Sequence, residues 1–293
     1  MTLPRLILFT LLCLSCFNAS AATLTIIKPR ETQLTRAFVE ALQHHQPDVS
    51  LQVQLLGNNP DPRPASVMVT MGLEALQWRL QQDINTPTIA TYITLDQLDP
   101  DTQYPNFVQI LLASPKPERQ LILASLLLPR LKTVGMLYSP QQRWQTELWQ
   151  RAARQQTLAL SAQVVDHQSE LLRSLSIVLN SSDVLIGIDD PQIYNADTLK
   201  PLLLTSYNRK RVLIGPSAPF IAAGSLSTTY SSPLQMAHST YLLMEQKWQD
   251  GAIRYPEHFS VLSNSQVARS LGLPPPSDAT LQRLIQHREQ ASP

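Results

Sequence analysis

Two adjacent carboxylates, Asp189 and Asp190, follow a short apolar run and precede Pro191. The run at residues 184–188 predicts a buried strand, and ligands of open α/β sheets bind beyond the carboxyl ends of such strands. A carboxylate pair at that place could receive the ammonium group or the hydroxyls of a small molecule. One of the two aspartates could also cap a following helix, because aspartate is a favoured N-cap residue. The two interpretations are compatible, and both are kept.

Other predicted strands also end in hydroxyl-bearing, aromatic or basic residues, a mixture that small-molecule clefts use. Beside the aspartate pair, the candidate ligand-binding residues are Arg30, Thr70, Gly72, Tyr92, Ser139, Ser217 and Tyr230. Ordinary turn chemistry also explains each of them taken alone. Arg30 could bind a carboxylate through two parallel hydrogen bonds, and Tyr92 or Tyr230 could cover an apolar group. If these strand ends face one cleft, a zwitterionic, amino-acid-like ligand would satisfy both Arg30 and the aspartates.

The motifs of nucleotide-binding proteins and of common hydrolases are missing from the sequence. Neither G-x-G-x-x-G nor G-x-x-x-x-G-K-[ST] occurs. The segment 215–219, Gly-Pro-Ser-Ala-Pro, lacks the second glycine that the serine turn of α/β hydrolases needs. The six histidines show no spacing typical of a metal site. We therefore expect no cofactor, no metal ion and no catalytic residue, so that the protein is not an enzyme.

The composition is that of a folded protein with almost no net charge. Its 293 residues include 23 Lys+Arg against 22 Asp+Glu, so nothing in the net charge of +1 recruits nucleic acid or an anionic membrane. The hydrophobic share of 43% supplies a core and excludes a disordered chain. This length allows one large domain or two smaller ones.

The N-terminal residues have the pattern of a secretory signal peptide. Arg5 supplies the positive charge, residues 6–17 form the apolar run, and Ala19-Ser20-Ala21 has the small-x-small pattern that signal peptidase recognises. We predict cleavage after Ala21 and export to a bacterial periplasm, with an uncleaved N-terminal anchor as the alternative. Because both cysteines lie in this segment, the mature chain is expected to form no disulfide.

Strand-like and helix-like runs alternate along the mature chain, and this alternation predicts parallel sheets covered by helices. An irregular stretch at residues 94–117, punctuated by aspartate and proline, divides two such units of similar size. No strand or helix is assigned within that stretch. The predicted fold class is α/β, with two doubly wound parallel-sheet lobes and a ligand cleft between them.

Three segments resemble one known family. Residues 127–140, Leu-Leu-Pro-Arg-Leu-Lys-Thr-Val-Gly-Met-Leu-Tyr-Ser-Pro, are similar to the start of the second lobe in bacterial ABC-transporter substrate-binding proteins. Residues 222–226 and 264–274 resemble two further segments of that family, the second being its closing motif. These proteins have the type I periplasmic-binding fold and include tryptophan- and tyrosine-binding members. The resemblance extends over roughly residues 120–275.

The resemblance implies that the chain crosses between its lobes three times and that the ligand lies between them. It places lobe 1 at residues 22–112 plus about 231–255, and lobe 2 at 113–230 plus 256–293. The implied function is an exported, monomeric solute-binding protein whose partners are a small-molecule ligand, an ABC permease and the ATPase of that permease. A periplasmic ligand-sensing module for a membrane receptor or kinase is the first alternative. A hydrolase that uses Asp189, Asp190 and either His167 or His238 is the second.

Overall fold

The computed structural model describes residues 23–63 and 65–291, and the predicted signal peptide lies outside these ranges. Strands among the described residues form two six-stranded sheets. The strands are β1 (Thr23–Lys28), β2 (Ser50–Leu55), β3 (Val67–Met71), β4 (Thr88–Ile93), β5 (Val108–Leu112), β6 (Thr133–Tyr138), β7 (Ala159–Val164), β8 (Val184–Ile186), β9 (Leu213–Ile214), β10 (Ser227–Tyr230), β11 (Ile253–Arg254) and β12 (Ser260–Ser263). The helices are α1 (Gln33–His45), α2 (Leu73–Leu80), α3 (Pro117–Leu127), α4 (Gln145–Gln155), α5 (Leu171–Ser181), α6 (Ala196–Asn208), α7 (Pro219–Ala223), α8 (Pro233–Glu245), α9 (Ser265–Ser270) and α10 (Asp278–Ala291).

Each sheet is the centre of one lobe. The first has the strand order β11-β5-β4-β3-β1-β2 and the second β12-β10-β9-β8-β6-β7. The strand pairs are parallel, except that β12 runs antiparallel to β10. In each sheet the chain starts inside, moves to one edge and then returns to the other side, which is the doubly wound arrangement. The predicted α/β class with two such lobes is confirmed.

Three segments carry the chain between the sheets. They join β5 to α3, β10 to α8, and β11 to β12. Helix α8 packs on α1, and β11 pairs with β5, so both belong to the first lobe although they follow the second lobe's β10 in sequence. The last strand, β12, and helix α10 belong to the second lobe. The two lobes are therefore interleaved in sequence.

The stretch for which no element was expected contains a strand. Val108–Leu112 forms β5, which is buried along its whole length and pairs with β4 and β11. The strand was missed because the surrounding aspartates and prolines dominate the stretch. A strand buried on both faces also lacks the alternation that marks half-exposed strands.

The helix after β8 is capped by neither aspartate of the pair. Helix α6 begins after Asn195, whose side chain accepts hydrogen bonds from the backbone N–H groups of Asp197 and Thr198. The hydroxyl oxygen of Thr198 accepts a hydrogen bond from the backbone N–H of Asn195 at 3.2 Å, which completes a capping box. The cap hypothesis for Asp189 and Asp190 is thus corrected, and both carboxylates are left for other roles.

One glycine in the second sheet offers a test of packing. A Cβ atom added at Gly135 in β6 would overlap the side chains of Val178 and Ser182 at the end of α5. We expect Gly135→Ala to lower the free energy of unfolding by roughly 1–2 kcal/mol, within the range for overpacked cores. Gly57 is the matched control, because nothing lies within 4 Å of its added Cβ. Urea titration of both variants measures the difference, and equal losses would contradict this account of Gly135.

Three histidine rings stack where the first lobe meets the third crossing of the chain. The ring of His238 on α8 lies 4.8 Å from that of His45 on α1 and 4.3 Å from that of His258, which lies between β11 and β12. Burial, together with the charge of His238, lowers the pKa of His45 and of His258. His44 and Arg119 act in the same direction, and Glu257 opposes them at His258.

This stack makes stability depend on pH. Because the pKa values of His45 and His258 are lower in the folded state, the unfolded chain binds more protons near the ordinary histidine value of 6.5. Stability is therefore lost as the pH falls through that value. The double variant His45→Phe/His258→Phe keeps aromatic rings that cannot titrate, and we expect it to lose less stability between about pH 7.5 and 5.5. Exposed His287→Phe is the control. A variant that follows the wild-type pH profile would refute this role.

Candidate functional site

A cavity of about 150 Å³ lies where the loop after β4 meets the loops after β8 and β9. These loops leave the carboxyl ends of parallel strands in both lobes, which is where α/β proteins bind ligands. Asp96 comes from the first lobe, and the other lining residues come from the second. The lining residues are Asp96, Ile188, Asp189, Asp190, Pro191, Tyr194, Pro216, Ser217 and Phe220. We call this space the interlobe cavity.

Asp189 is the aspartate of the pair that reaches the first lobe. Burial between the lobes raises the pKa of its carboxyl group from 3.8 to about 6. A hydrogen bond from the hydroxyl of Ser114 opposes this rise, and the charge of Asp96 adds to it. That same hydroxyl accepts the backbone N–H of Leu95 at 2.7 Å. The carboxylate of Asp189 thus receives few hydrogen bonds, and its buried surroundings disfavour the ionised form.

Asp190 is used mainly for hydrogen bonds within the second lobe. Its Oδ2 accepts the backbone N–H of Ser139 at 2.6 Å, and its Oδ1 accepts that of Gln192 at 3.1 Å. These bonds fix the turn after β8 to the end of β6. Burial raises the pKa of Asp190 as well, against the effect of the Ser139 hydrogen bond. Asp190 therefore orients the loop that carries Asp189, and only part of its carboxylate remains for a ligand.

The lobes touch each other directly around this cavity. Gln142 of the second lobe donates from Nε2 to the backbone carbonyl of Asp96 at 3.3 Å. Within the second lobe, Gln145, at the start of α4, donates to the backbone carbonyl of Asp189 at 3.1 Å. Next to them, Trp144 and Leu148 pack on an apolar cluster of the first lobe. Helix α4 and the turn before it therefore set how closely the two lobes approach.

The charged side chains that line the cavity are all acidic. Three aspartates line it, and no lysine, arginine or histidine is among its lining residues in the described ranges. Tyr194 and Phe220 supply aromatic surface, with their rings 6.5 Å apart and nearly perpendicular. Tyr194 is held by a hydrogen bond from its hydroxyl to the carbonyl of Ile186 at 3.2 Å. Such a space suits a cation that carries an apolar group.

The structure brings only some of the predicted site residues together. Asp189, Asp190 and Ser217 line the cavity, and Ser139 contacts it through Asp190. Gly72 lies at the equivalent strand end of the first lobe, as the N-cap of α2 with a φ of 82°. Arg30 is exposed on the loop after β1 and is not among the lining residues. Tyr230 is half-buried at the end of β10 and does not line the cavity either.

Thr70 and Tyr92 are placed inside the first lobe. Thr70 is fully buried in the middle of the sheet. The ring of Tyr92 packs edge-on against Phe38 with centroids 5.5 Å apart, on the core of the first lobe, and it is not among the residues that line the cavity. Tyr92 also has a φ of 57°, which is unusual for an aromatic residue and coincides with an irregularity in the pairing of β4 with β5. This bend directs the chain toward Leu95 and Asp96.

Several residues of the site were not among the predicted ones. Asp96 could have been found, since it follows β4 by the same rule that selected Asp189. Ser114 follows β5 and was missed because that strand was missed. Gln145, Tyr194 and Phe220 lie on or before helices, where nothing in their spacing distinguishes them from ordinary packing residues.

The histidines proposed for hydrolytic chemistry lie elsewhere. His238 belongs to the stack described above, and His167 is exposed after β7. Within residues 23–63 and 65–291, no group of three or more histidine, aspartate or glutamate side chains is arranged to hold a metal ion. None of the helices in these ranges is long and apolar enough to cross a membrane.

Comparison with solved structures identifies the fold. A ligand-free, open substrate-binding protein with adhesive properties from Clostridium difficile is 14% identical, with 87% of this chain and 96% of that chain covered and a TM-score of 0.64. An ABC domain in complex with L-Trp from Streptococcus pneumonia is 16% identical over 89% and 98% of the two chains, with a TM-score of 0.55. A periplasmic ribose ABC transporter from Conexibacter woesei is 12% identical over 86% and 96%, with a TM-score of 0.51. No family model and no curated protein sequence matches the chain.

At these identities the similarity concerns the fold. The chain has the two-lobed type I periplasmic-binding fold, as the family resemblance in its sequence implied. The proteins named above are described as binding or transport proteins, and none as an enzyme. The ligands that these descriptions name are those of the compared proteins, and similarity in fold does not transfer them to this chain.

Proposed function

We propose that this protein is an exported solute-binding protein that captures a small, amine-bearing molecule between its lobes for an ABC importer. The observation that carries the proposal is the interlobe cavity, in which Asp96 of one lobe faces Asp189 and Asp190 of the other without any basic side chain in the lining. A ligand with an ammonium group would neutralise these carboxylates when the lobes close on it.

The state of Asp189 supports a cationic ligand. A buried carboxylate without a counter-ion is costly, and the raised pKa of Asp189 expresses that cost. An ammonium group at hydrogen-bonding distance would stabilise the ionised form, and the ligand would gain a charge-assisted hydrogen bond. Tyr194 and Phe220 would contact its apolar part.

The size of the cavity requires movement of the lobes. At 150 Å³ it is smaller than the pockets of about 300–1,000 Å³ that usually hold small ligands. The contacts around it include Gln142 with Asp96, Ser114 of the first crossing segment with Asp189, and the packing of Trp144 and Leu148 on the first lobe. Opening about the three crossing segments would admit a larger ligand. We place lobe 1 at residues 22–112 plus about 231–255, and lobe 2 at 113–230 plus 256–293. The membership of the two sheets supports this division.

Transport and location are further parts of the proposal. Cleavage after Ala21 would release a periplasmic protein, and the permease and ATPase of an importer would be its partners. Similarity in fold to a substrate-binding protein and to a ribose ABC transporter supports this assignment. The amino-acid character of the ligand rests on the carboxylates for its ammonium end. A contact of its carboxylate with Arg30 stays a prediction.

A thermal-shift screen tests the proposed binding. Amino acids, simple amines, sugars and organic acids are added to the mature protein, and each amine is matched with its N-acetylated, uncharged form. A true ligand at a hundred times its dissociation constant stabilises by about 2.7 kcal/mol. We expect amine-bearing compounds to raise the melting temperature and their acetylated forms to leave it unchanged. Stabilisation by sugars or acids alone would overturn the proposed ligand class.

Transport is tested separately by uptake of the ligand found in the screen. Cells that lack the protein should take up the labelled compound more slowly, and the wild-type gene should restore the rate. Tight binding with unchanged uptake would refute the importer role while leaving the binding function intact.

A further inference from the structure

A second, larger cavity lies at the opposite end of the second lobe. It measures about 740 Å³. Its lining consists of residues 126–131 at and after the end of α3, residues 273–277 before α10, and Asp183, Lys210, Arg211, Thr280 and Leu281. We call it the basal groove. Asp183 directly precedes β8 and Asp189 comes three residues after its end, so the groove and the interlobe cavity lie at opposite ends of this strand.

The walls of the basal groove are apolar and stiff. Half-buried leucines at 126, 127, 128, 131 and 273 form one part of the surface. Pro129 and the run at residues 274–276 form the other. Proline has a fixed φ and no N–H group, so these segments neither collapse easily into the groove nor offer hydrogen-bond donors to it. The interior therefore suits a hydrocarbon chain.

The rim of the groove is basic. Arg130, Lys210 and Arg211 line it, and none of them takes part in the ion pairs found in the described part of the chain. The single acidic residue of the lining, Asp183, is already occupied. Its Oδ2 accepts the backbone N–H groups of Lys132 and Thr133, both at 3.0 Å. Arg211 also interacts electrostatically with this carboxylate. Three cations against one carboxylate leave the lining with an excess of positive charge.

We propose that the basal groove binds an amphipathic carboxylate of the fatty-acid class, with its hydrocarbon chain between the leucines and prolines and its head group at Arg130 and Arg211. Charge complementarity selects an anion, and the apolar walls select a long chain over a small polar acid. The volume of 740 Å³ is that of a small-molecule pocket, which favours such a ligand over a peptide partner. This site is separate from the interlobe cavity and does not depend on the proposed function.

Titration calorimetry with dodecanoate, below its micelle concentration, tests the site on the mature chain. We expect one molecule to bind, while dodecanol, which lacks the charge, and butanoate, which lacks the chain, bind at least about tenfold more weakly. Arg130→Gln and Arg211→Gln should each weaken dodecanoate binding by about tenfold. Thr280→Trp should block it, because the new ring would fill the groove.

The controls separate this site from the rest of the molecule. Arg151→Gln changes an exposed arginine on α4 of the same lobe and should bind dodecanoate like the wild type. Asp189→Asn should do so too, whatever happens at the interlobe cavity. Absence of dodecanoate binding overturns the proposal, as does binding that Thr280→Trp and Arg211→Gln leave unchanged. Binding of an acidic leucine-rich peptide without binding of dodecanoate would also overturn it and assign the groove to a protein partner.

Discussion

Replacing Asp189 with asparagine will weaken the binding of an amine ligand by about 2 kcal/mol or more, a factor of roughly thirty. The amide keeps the shape of the side chain but cannot form an ion pair with the ammonium group. In the wild type, affinity should also fall as the pH drops through about 6, because the carboxyl group then takes up a proton. Calorimetric titration across this pH range should find no such fall in the variant.

The stability of the unliganded protein should respond differently. Since the pKa of Asp189 is higher in the folded state than its ordinary value of 3.8, the folded protein loses stability as the pH rises from 3.8 to about 6. Asp189→Asn removes this loss, so the variant should be no less stable than the wild type at neutral pH. Asp166→Asn, an exposed aspartate after β7, is the control for binding. Equal affinities in the wild type and Asp189→Asn would show that Asp189 does not contact the ligand.

Replacing Arg119 with methionine will lower the free energy of unfolding by about 3–5 kcal/mol, as expected when one partner of a buried ion pair is removed. Arg119 on α3 is 7% exposed and lies under the third crossing of the chain. Its Nε donates to Glu289 of α10 at 2.9 Å, and its terminal nitrogens donate to the carbonyls of Pro256 and Glu257. The guanidinium also stacks on Phe259 at 4.3 Å.

Methionine fills similar space, so the loss comes from the unpaired groups that remain. The two carbonyls lose their donor, and Glu289 retains its ion pair with Lys116, at 3.0 Å. Urea unfolding is the measurement, and Arg151→Met is the control because that side chain is exposed. A loss below about 1 kcal/mol would place Arg119 with surface salt bridges, whose typical contribution is that small.

The parallel sheets were predictable because their strands leave strong local signals. Runs such as residues 24–28 and 133–138 are apolar and bounded by turn residues, and each is followed by a helical pattern. Strand β5 gave no such signal amid aspartates and prolines. The two-residue strand β11 exists only because Ile253 and Arg254 lie beside β5, a pairing between residues more than a hundred positions apart.

The candidate site was predictable to the extent that it follows strand ends. Asp189, Asp190 and Ser217 were selected by that rule and line the interlobe cavity. Tyr92 was selected by the same rule, but its left-handed backbone turns the ring into the core against Phe38. Backbone strain of this kind is set by tertiary packing, which local sequence does not encode. Asp96 comes from the opposite lobe and Ser114 from the crossing segment between β5 and α3, so their distance to Asp189 depends on how the lobes meet.

The interleaving of the lobes also determines the order in which they can fold. Phe38 and Leu42 of α1 share a core cluster with Met236 and Leu243 of α8, nearly two hundred residues later in the chain. A ribosome that has released only residues 23–112 has therefore made a sheet whose helix layer is incomplete on one side. The first lobe becomes whole only after β11, when the strands of the second lobe from β6 to β10 have already been made. Such long-range closure slows folding and leaves apolar surface exposed during synthesis, so the lobe that begins the chain completes its core late.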